Sequence, residues 1–329
     1  MTAAGVYLRT YLQPFAPWLE REDVTDIFVN RPGELWVETV GGGLERVEAP
    51  ELDDTLLWRL ARQIASLTHQ GISREHPLLA ATLPDGARVQ VCAPPATRGD
   101  LALAIRKHVT ADLGLDDYAA QGAFEAVRRS DGEAGDGADA ELARLLDGGD
   151  VGGFLRAAVR ARRNVVVSGG TSTGKTTFLN ALLKEAPAHE RLVVIEDTPE
   201  VRLTHPNAVG LVAVRGELGE ARIGPEELLQ ASLRLRPDRI ILGELRGREA
   251  FQFLRAVNSG HPGSITTVHA DSPAGARDQI ALMVLQAGAH LGRAEIVDYV
   301  AGVVDVFVQL SREQGRRKVS EVAFSPRKR

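Results

Sequence analysis

Gly169-Gly170-Thr171-Ser172-Thr173-Gly174-Lys175-Thr176 spells G-x-x-x-x-G-K-[ST] in full. It follows the apolar run Val165-Val166-Val167 and leads into Thr177-Phe178-Leu179, which reads as the start of a helix. Strand, turn and helix in that order are the setting in which this spacing cradles phosphates. Glycines let the backbone curl until successive N–H groups point inward. The helix beginning near Lys175 adds its positive end at the same point. Lys175 has the reach for β- and γ-phosphates, and the Thr176 hydroxyl can ligate Mg²⁺. The expectation is a nucleoside triphosphate held by Gly169 through Thr177, with the metal at Thr176.

Three other strand ends carry chemistry-bearing side chains. Val193-Val194-Ile195-Glu196-Asp197-Thr198-Pro199-Glu200 is an apolar strand running into carboxylates, with Glu196, Asp197 and Glu200 as candidates to orient water or hold Mg²⁺. Capping of a helix by Asp197 is the plainer alternative. Arg239-Ile240-Ile241-Leu242-Gly243-Glu244 ends in a lone carboxylate, with Gly243 where a Walker B strand usually places Asp. Glu244 is then the candidate to polarise the attacking water, against a plain surface pairing with Arg246 or Arg248. Ile265-Thr266-Thr267-Val268-His269 ends in a histidine able to hydrogen-bond a γ-phosphate, and His261 lies in the glycine-rich turn before it.

These ends need a sheet to line them up. The chain has 329 residues, 44% hydrophobic, with a net charge of −5, enough for two domains. From 1 to 108, short alternating runs (DIFVN, ELWVETV, RVQVCA, LALAIRKH), turns at Arg31-Pro32-Gly33 and Gly41-Gly42-Gly43, and one long amphipathic helix predict an α+β domain with an antiparallel sheet. From 109 to 150 the chain turns acidic and rich in Gly and Ala, which reads as a flexible linker with one or two helical turns at ELARLL. From 151 to 329, continuously apolar strands alternate with helices, an α/β pattern predicting a doubly wound, largely parallel sheet. The lone cysteine, Cys92, rules out an internal disulfide, fits a reducing compartment and sits at a half-buried strand position. The start lacks the layout of a signal peptide. The run IVDYVAGVVDVFVQL is broken by Asp298 and Asp305 and falls short of the roughly 18 to 20 residues of a membrane helix, which leaves peripheral contact with a membrane face open.

With all four strand ends in this order, the chain resembles the secretion ATPases of bacterial type IV secretion systems, hexameric motors related to those of type II secretion and type IV pili. GGTSTGKTT is similar to the family's Walker A, IEDTPE to its Asp box, LRPDRIILGELR to its Walker B region, where glycine before glutamate is usual, and GHPGSITTVHA to its His box. TDIFVNRPGELWVE and HPLLAATLPDGARVQV resemble its N-terminal domain. The resemblance implies a RecA-like P-loop NTPase domain behind an N-terminal α+β domain. It also implies a cytoplasmic homohexamer, peripherally associated with the inner membrane, working with inner-membrane and other ATPase components of a secretion channel. Arginines of the first domain would reach the phosphates, Arg88 and Arg106 being the matching positions and Arg236 a further candidate. Such a finger is worth roughly 10³ to 10⁵ in rate. Arg156, Arg160, Arg162 and Arg163 read instead as a solvated helix face or a subunit contact. Two other classes stay in view: a nucleic-acid translocase, which the acidic balance and the lack of aromatic residues among basic ones disfavour as a direct bulk ligand role, and a nucleotide-gated assembly hub with incidental turnover.

Overall fold

A computed structural model describes residues 3–107, 137–214, 221–314 and 316–326; residues 109–136 of the expected linker lie outside the described residues. Period-two alternation builds the first sheet. Strands β1 (Val24–Val29), β2 (Gly33–Thr39), β3 (Leu44–Ala49), β4 (Leu78–Thr82), β5 (Arg88–Cys92) and β6 (Ala102–Arg106) pair in the order β3-β2-β1-β6-β5-β4, antiparallel throughout. Gly33 and Gly41 take the positive φ that the two expected turns require. Ile27, Val29, Leu103 and Ile105 face one side. There they meet α3 (Asp54–Leu67), whose N-terminus is capped by Asp53 accepting from the Leu56 amide at 2.7 Å. Helices α1 (Ala3–Leu12) and α2 (Ala16–Leu19) precede this sheet in the chain.

The alternate residues, Phe28, Trp36, Cys92, Ala102 and Ala104, face the other way and share one apolar core with the second half of the chain. That half is a seven-stranded sheet: β7 (Val165–Gly169), β8 (Leu192–Glu196), β9 (Ala208–Val212), β10 (Arg239–Leu245), β11 (Ile265–Val268), β12 (Val306–Glu313) and β13 (Arg316–Phe324). The order is β13-β12-β7-β11-β10-β8-β9, parallel except for the β12–β13 hairpin. On one face lie α4 (Gly137–Asp147), α5 (Val151–Arg160) and α6 (Lys175–Leu183). On the other lie α7 (Pro225–Arg234), α8 (Glu249–Asn258), α9 (Pro273–Gln286) and α10 (Arg293–Val303). Layers on both faces explain why these strands read as unbroken apolar runs.

The two sheets are bolted together by polar groups as well. Arg191, fully buried, stacks on the Phe28 ring at 4.1 Å and donates to Leu235 O and to Asn30 Oδ1. Burial pushes its guanidinium down to about 9. Cys92 is fully buried, beyond the half-burial expected, and burial pushes its thiol up to about 12. Residues 137–147, placed in the linker by their acidic and glycine content, form α4 instead. Leu142 is buried, Leu145 and Leu146 pack beside it, and Asp139 pairs with Arg163 at 2.7 Å. Arg163, read as solvated, is therefore 1% exposed, whereas Arg156 and Arg160 stay on the surface against Glu185. Phe154 on α5 packs edge-on against Phe324 of β13, with ring centroids 5.5 Å apart. Phe154→Ala is expected to lower stability by about 3–5 kcal/mol, measured as a fall in the urea midpoint at unchanged m-value.

Candidate active site

The carboxyl ends of β7, β8, β10 and β11 converge on one cavity of ≈ 440 Å³, the place where open parallel sheets bind ligands. Its floor is the glycine loop between β7 and α6. Gly174 has φ +91° and no side chain caps α6, so the first amides of the helix are left facing the loop. Ser172 also takes positive φ, and Thr173 Oγ1 donates to Gly170 O at 2.9 Å, which closes the curl. Thr171, Ser172, Gly174, Lys175, Thr176 and Thr177 line the cavity, while Gly169 and Gly170 form the turn behind them. The Lys175 ammonium donates to Gly169 O at 3.0 Å and Gly170 O at 3.2 Å. Burial holds it below the usual lysine value; Arg246 pushes the same way and Glu244 opposes.

Glu200 and Glu196 have different tasks. Glu200 Oε2 accepts from the Thr176 hydroxyl at 2.9 Å, so a carboxylate stands directly beside the expected metal ligand. Glu196, read as a candidate to orient water, is consumed by structure. One oxygen accepts from the Glu200 and Val201 amides at 3.0 and 2.8 Å, and the other is ion-paired with Arg98. The carboxylate is 5% exposed. Arg98 comes from the N-terminal half. Its backbone joins the edge of β9, where Thr97 bridges Leu211 and the Arg98 amide donates to Gly210 O at 3.2 Å. A Cβ on Gly210 would lie 2.6 Å from Arg98 Cδ, and one on Gly243 would lie 2.9 Å from Glu196 Cγ. Two glycines thus make room for the pair.

Glu244 sits at the end of β10, 15% exposed at the side chain. It pairs with Arg246, the plainer reading of the sequence, and its Oε1 also meets His269 Nε2 at 2.8 Å. His269 lies 3.3 Å from Lys175 Nζ. Arg246 reaches on to Asp197 Oδ2 at 3.4 Å, and its hydrogen bond with Glu244 holds its pKa above the ordinary arginine value. Lys175, His269, Glu244, Arg246 and Asp197 are therefore one connected network across the cavity. Among the described residues no group of three or more His, Cys, Asp or Glu could hold a metal ion. Thr176 beside Glu200 fits a hard cation that takes its remaining oxygens from phosphate and water.

Arg88, Arg106 and Arg236, expected at the phosphates, are not brought there within the chain. Arg88 and Arg106 are cross-strand neighbours on β5 and β6, and with Arg234 and Arg236 they line a separate cavity of ≈ 500 Å³. The physical reason is where the sheet docks: β5 packs on α7, which sets both arginines beside the C-terminal end of that helix. Arg236 is tied to Glu38 and Asp238. His261 bonds Ala256 O at 3.0 Å and does not line the cavity. Sequence reasoning missed Arg98 and Arg317, both at the site; neither stands in a motif, and only chain topology brings them in.

A family model described as "Type II/IV secretion system protein" matches residues 147–324. The type IV secretion system protein VirB11 of Bartonella henselae is 37% identical, over 96% of this chain and 92% of that protein. The type IV secretion system protein PtlH of Bordetella pertussis is 40% identical, over 95% and 94%. The crystal structure of the VirB11 ATPase from the Brucella suis type IV secretion system, in complex with sulphate, superposes with a TM-score of 0.91 at 39% identity, covering 98% of each chain.

Gly243→Ala places a methyl group against Glu196 Cγ. The expected outcome is a loss of nucleotide hydrolysis of roughly 10²-fold, the scale of a misplacement of about 1 Å, with an unchanged circular dichroism spectrum, read in a phosphate-release assay.

Proposed function

The chain belongs to the type II/IV secretion system protein family, and we propose on that premise that it is the ATP-hydrolysing motor subunit of a bacterial type IV secretion system. The observation that carries the reading is the single cavity in which the glycine loop, Thr176, Glu244 and His269 meet. In the reaction, water attacks the γ-phosphorus, the bond to the β–γ bridging oxygen breaks, and ADP and phosphate leave. The glycine-loop amides and the α6 N-terminus hold the phosphates, and Lys175 exchanges the carbonyls of Gly169 and Gly170 for β- and γ-oxygens. Glu244 accepts the water's proton. His269, between Lys175 and Glu244, links the loop to the base and so reports whether the last phosphate is attached. Thr176, with Glu200 behind it, would hold Mg²⁺, whose charge would offset the negative charge developing on the phosphates.

The arginines complete the site from a neighbouring copy. Arg88 and Arg106 line a cavity other than that of their own loop, which supports a homohexameric ring in which the N-terminal sheet of one subunit covers the loop of the next. Each closure is then felt by the adjacent subunit. No described helix is long and apolar enough to cross a membrane; the ring works at the cytoplasmic face of the inner membrane, docked on membrane components of the channel, and drives pilus assembly or substrate passage.

Lys175→Ala is expected to abolish ATP binding in calorimetry. Glu244→Gln is expected to retain ATP while turnover falls at least about 10²-fold; normal turnover would remove Glu244 from its role. A mixing experiment tests the arginines. Arg88→Glu and Lys175→Ala proteins are each inactive alone. Mixed and reassembled, they regain turnover, because composite sites combine an intact loop from one copy with an intact Arg88 from the other. No regain places Arg88 outside a shared site.

A further inference from the structure

One cation in the nucleotide cavity has no place in the account so far. Strands β12 and β13 continue past the end of β7, where Leu310 pairs with Gly169. Across the hairpin Leu310 pairs with Val319 and Arg312 with Arg317, and the register shift between Gln309 and Leu310 leaves Ser320 as the extra residue. Val319, Val322 and Phe324 therefore share one face, and all three pack on the cluster formed with α5 and α6. Arg317, two residues before Val319, projects on that same face and comes to rest over the start of α6. A Cβ on Gly174 would lie 2.9 Å from Arg317 Cδ and 3.3 Å from its Nε and Nη1. The side chain lines the same cavity as Lys175 and Thr176.

The charges around it are spoken for. Glu196 is paired with Arg98, Asp197 and Glu244 with Arg246, and Glu200 accepts from Thr176. No hydrogen bond or ion pair among the described residues engages the Arg317 guanidinium. A planar, permanently charged group with its donors free, held against the amides of a phosphate loop, matches the geometry of phosphate recognition.

Resting on the ATPase reading above, we propose that Arg317 is a direct phosphate-binding residue of the nucleotide site, supplied by the C-terminal hairpin of the same chain. Its position over Gly174 assigns it to the α/β-phosphates, which the loop amides cradle, and not to the γ-phosphate. The contact is thus present in ATP and ADP complexes alike and contributes uniform binding, which affects KM and leaves the chemical step alone.

The test uses the full chain as wild type, Arg317→Ala, Arg317→Gln, Arg317→Lys and Arg316→Ala, with ADP and ATP affinities measured by calorimetry and steady-state turnover on the same samples. Arg317→Ala and Arg317→Gln are expected to weaken ADP and ATP by the same factor, about tenfold or more, the scale of a charge-assisted hydrogen bond. KM for ATP should rise to match, with kcat within about twofold of wild type. Arg317→Lys should recover part of the loss, and Arg316→Ala, on the opposite face, should lose little. Unchanged ADP affinity in both neutral variants overturns the proposal; so does a loss confined to ATP, or a fall in kcat at constant KM. Should wild type itself fail to bind ADP, the ATPase reading fails, not the assignment of Arg317.

Discussion

Taking a carboxylate out of water costs several kcal/mol unless donors replace the lost hydration, and Glu196 at the end of β8 is almost wholly buried. Its donors are two backbone amides of the following turn and one guanidinium from the other half of the molecule. Each consequence follows from satisfying that charge. The turn is pinned, so Glu200 stands beside Thr176. The neighbouring strand must have glycine at 243 because the Glu196 stem occupies the space a side chain would need. The missing Walker B aspartate is thus a matter of volume: two carboxylates cannot share that place, and the one present comes from the adjacent strand and serves the backbone. The third donor, Arg98, brings the N-terminal half to the edge of β9 and makes the site's geometry depend on how the two halves are joined.

That junction is built to stay closed. Phe28, Trp36, Ala102 and Ala104 belong to the same apolar core as α7 and α8, and Arg191 is buried between the halves with its guanidinium donating to Asn30 and Asn207 and stacked on the face of Phe28. Opening it would expose the apolar face and strand a guanidinium already held in a solvent-poor setting. Motion that parted the two halves would therefore be costly. The sequence could place Arg88 and Arg106 on strands but not decide which way the sheet would turn, so the separate cavity they line was not foreseen.

What could be read beforehand follows the range of the forces involved. The glycine loop, the three acidic or basic strand ends and the parallel sheet are written in local patterns, since each needs only a strand, a turn and the residues beside it. The N-terminal strands β1, β2, β5 and β6 showed through alternation. β3, with Glu45 and Arg46 exposed side by side, did not. Neither did β13, whose run of Arg316, Arg317 and Lys318 looks like surface until Val319, Val322 and Phe324 are seen to anchor it. α4 was legible only as a turn or two at ELARLL: its glycine and acidic residues mimic a linker, and docking of three leucines and the Asp139–Arg163 pair extends it to a full helix. The roles of Glu196, Arg98 and the two accommodating glycines are long-range facts, set by contacts between segments 47 to 112 residues apart, and no local spacing encodes them.

The remaining question is how a site so full of paired charge stays responsive to a phosphate. Lys175 is held by two carbonyls of its own loop and lies beside His269, which meets Glu244, which is shared with Arg246 and through it with Asp197. Every member has a partner, yet each link but the first is a side chain that can exchange that partner without moving backbone. Burial already disfavours the Lys175 ammonium, so phosphate oxygens, stronger acceptors than carbonyls, draw it out of the loop. Its departure removes one neighbour from His269 and changes the field at Glu244 in the same event. The network therefore converts the presence of one phosphate into a different set of bonds at Glu244, and the rigid sheet beneath ensures that the difference appears in side chains, not as slack in the fold.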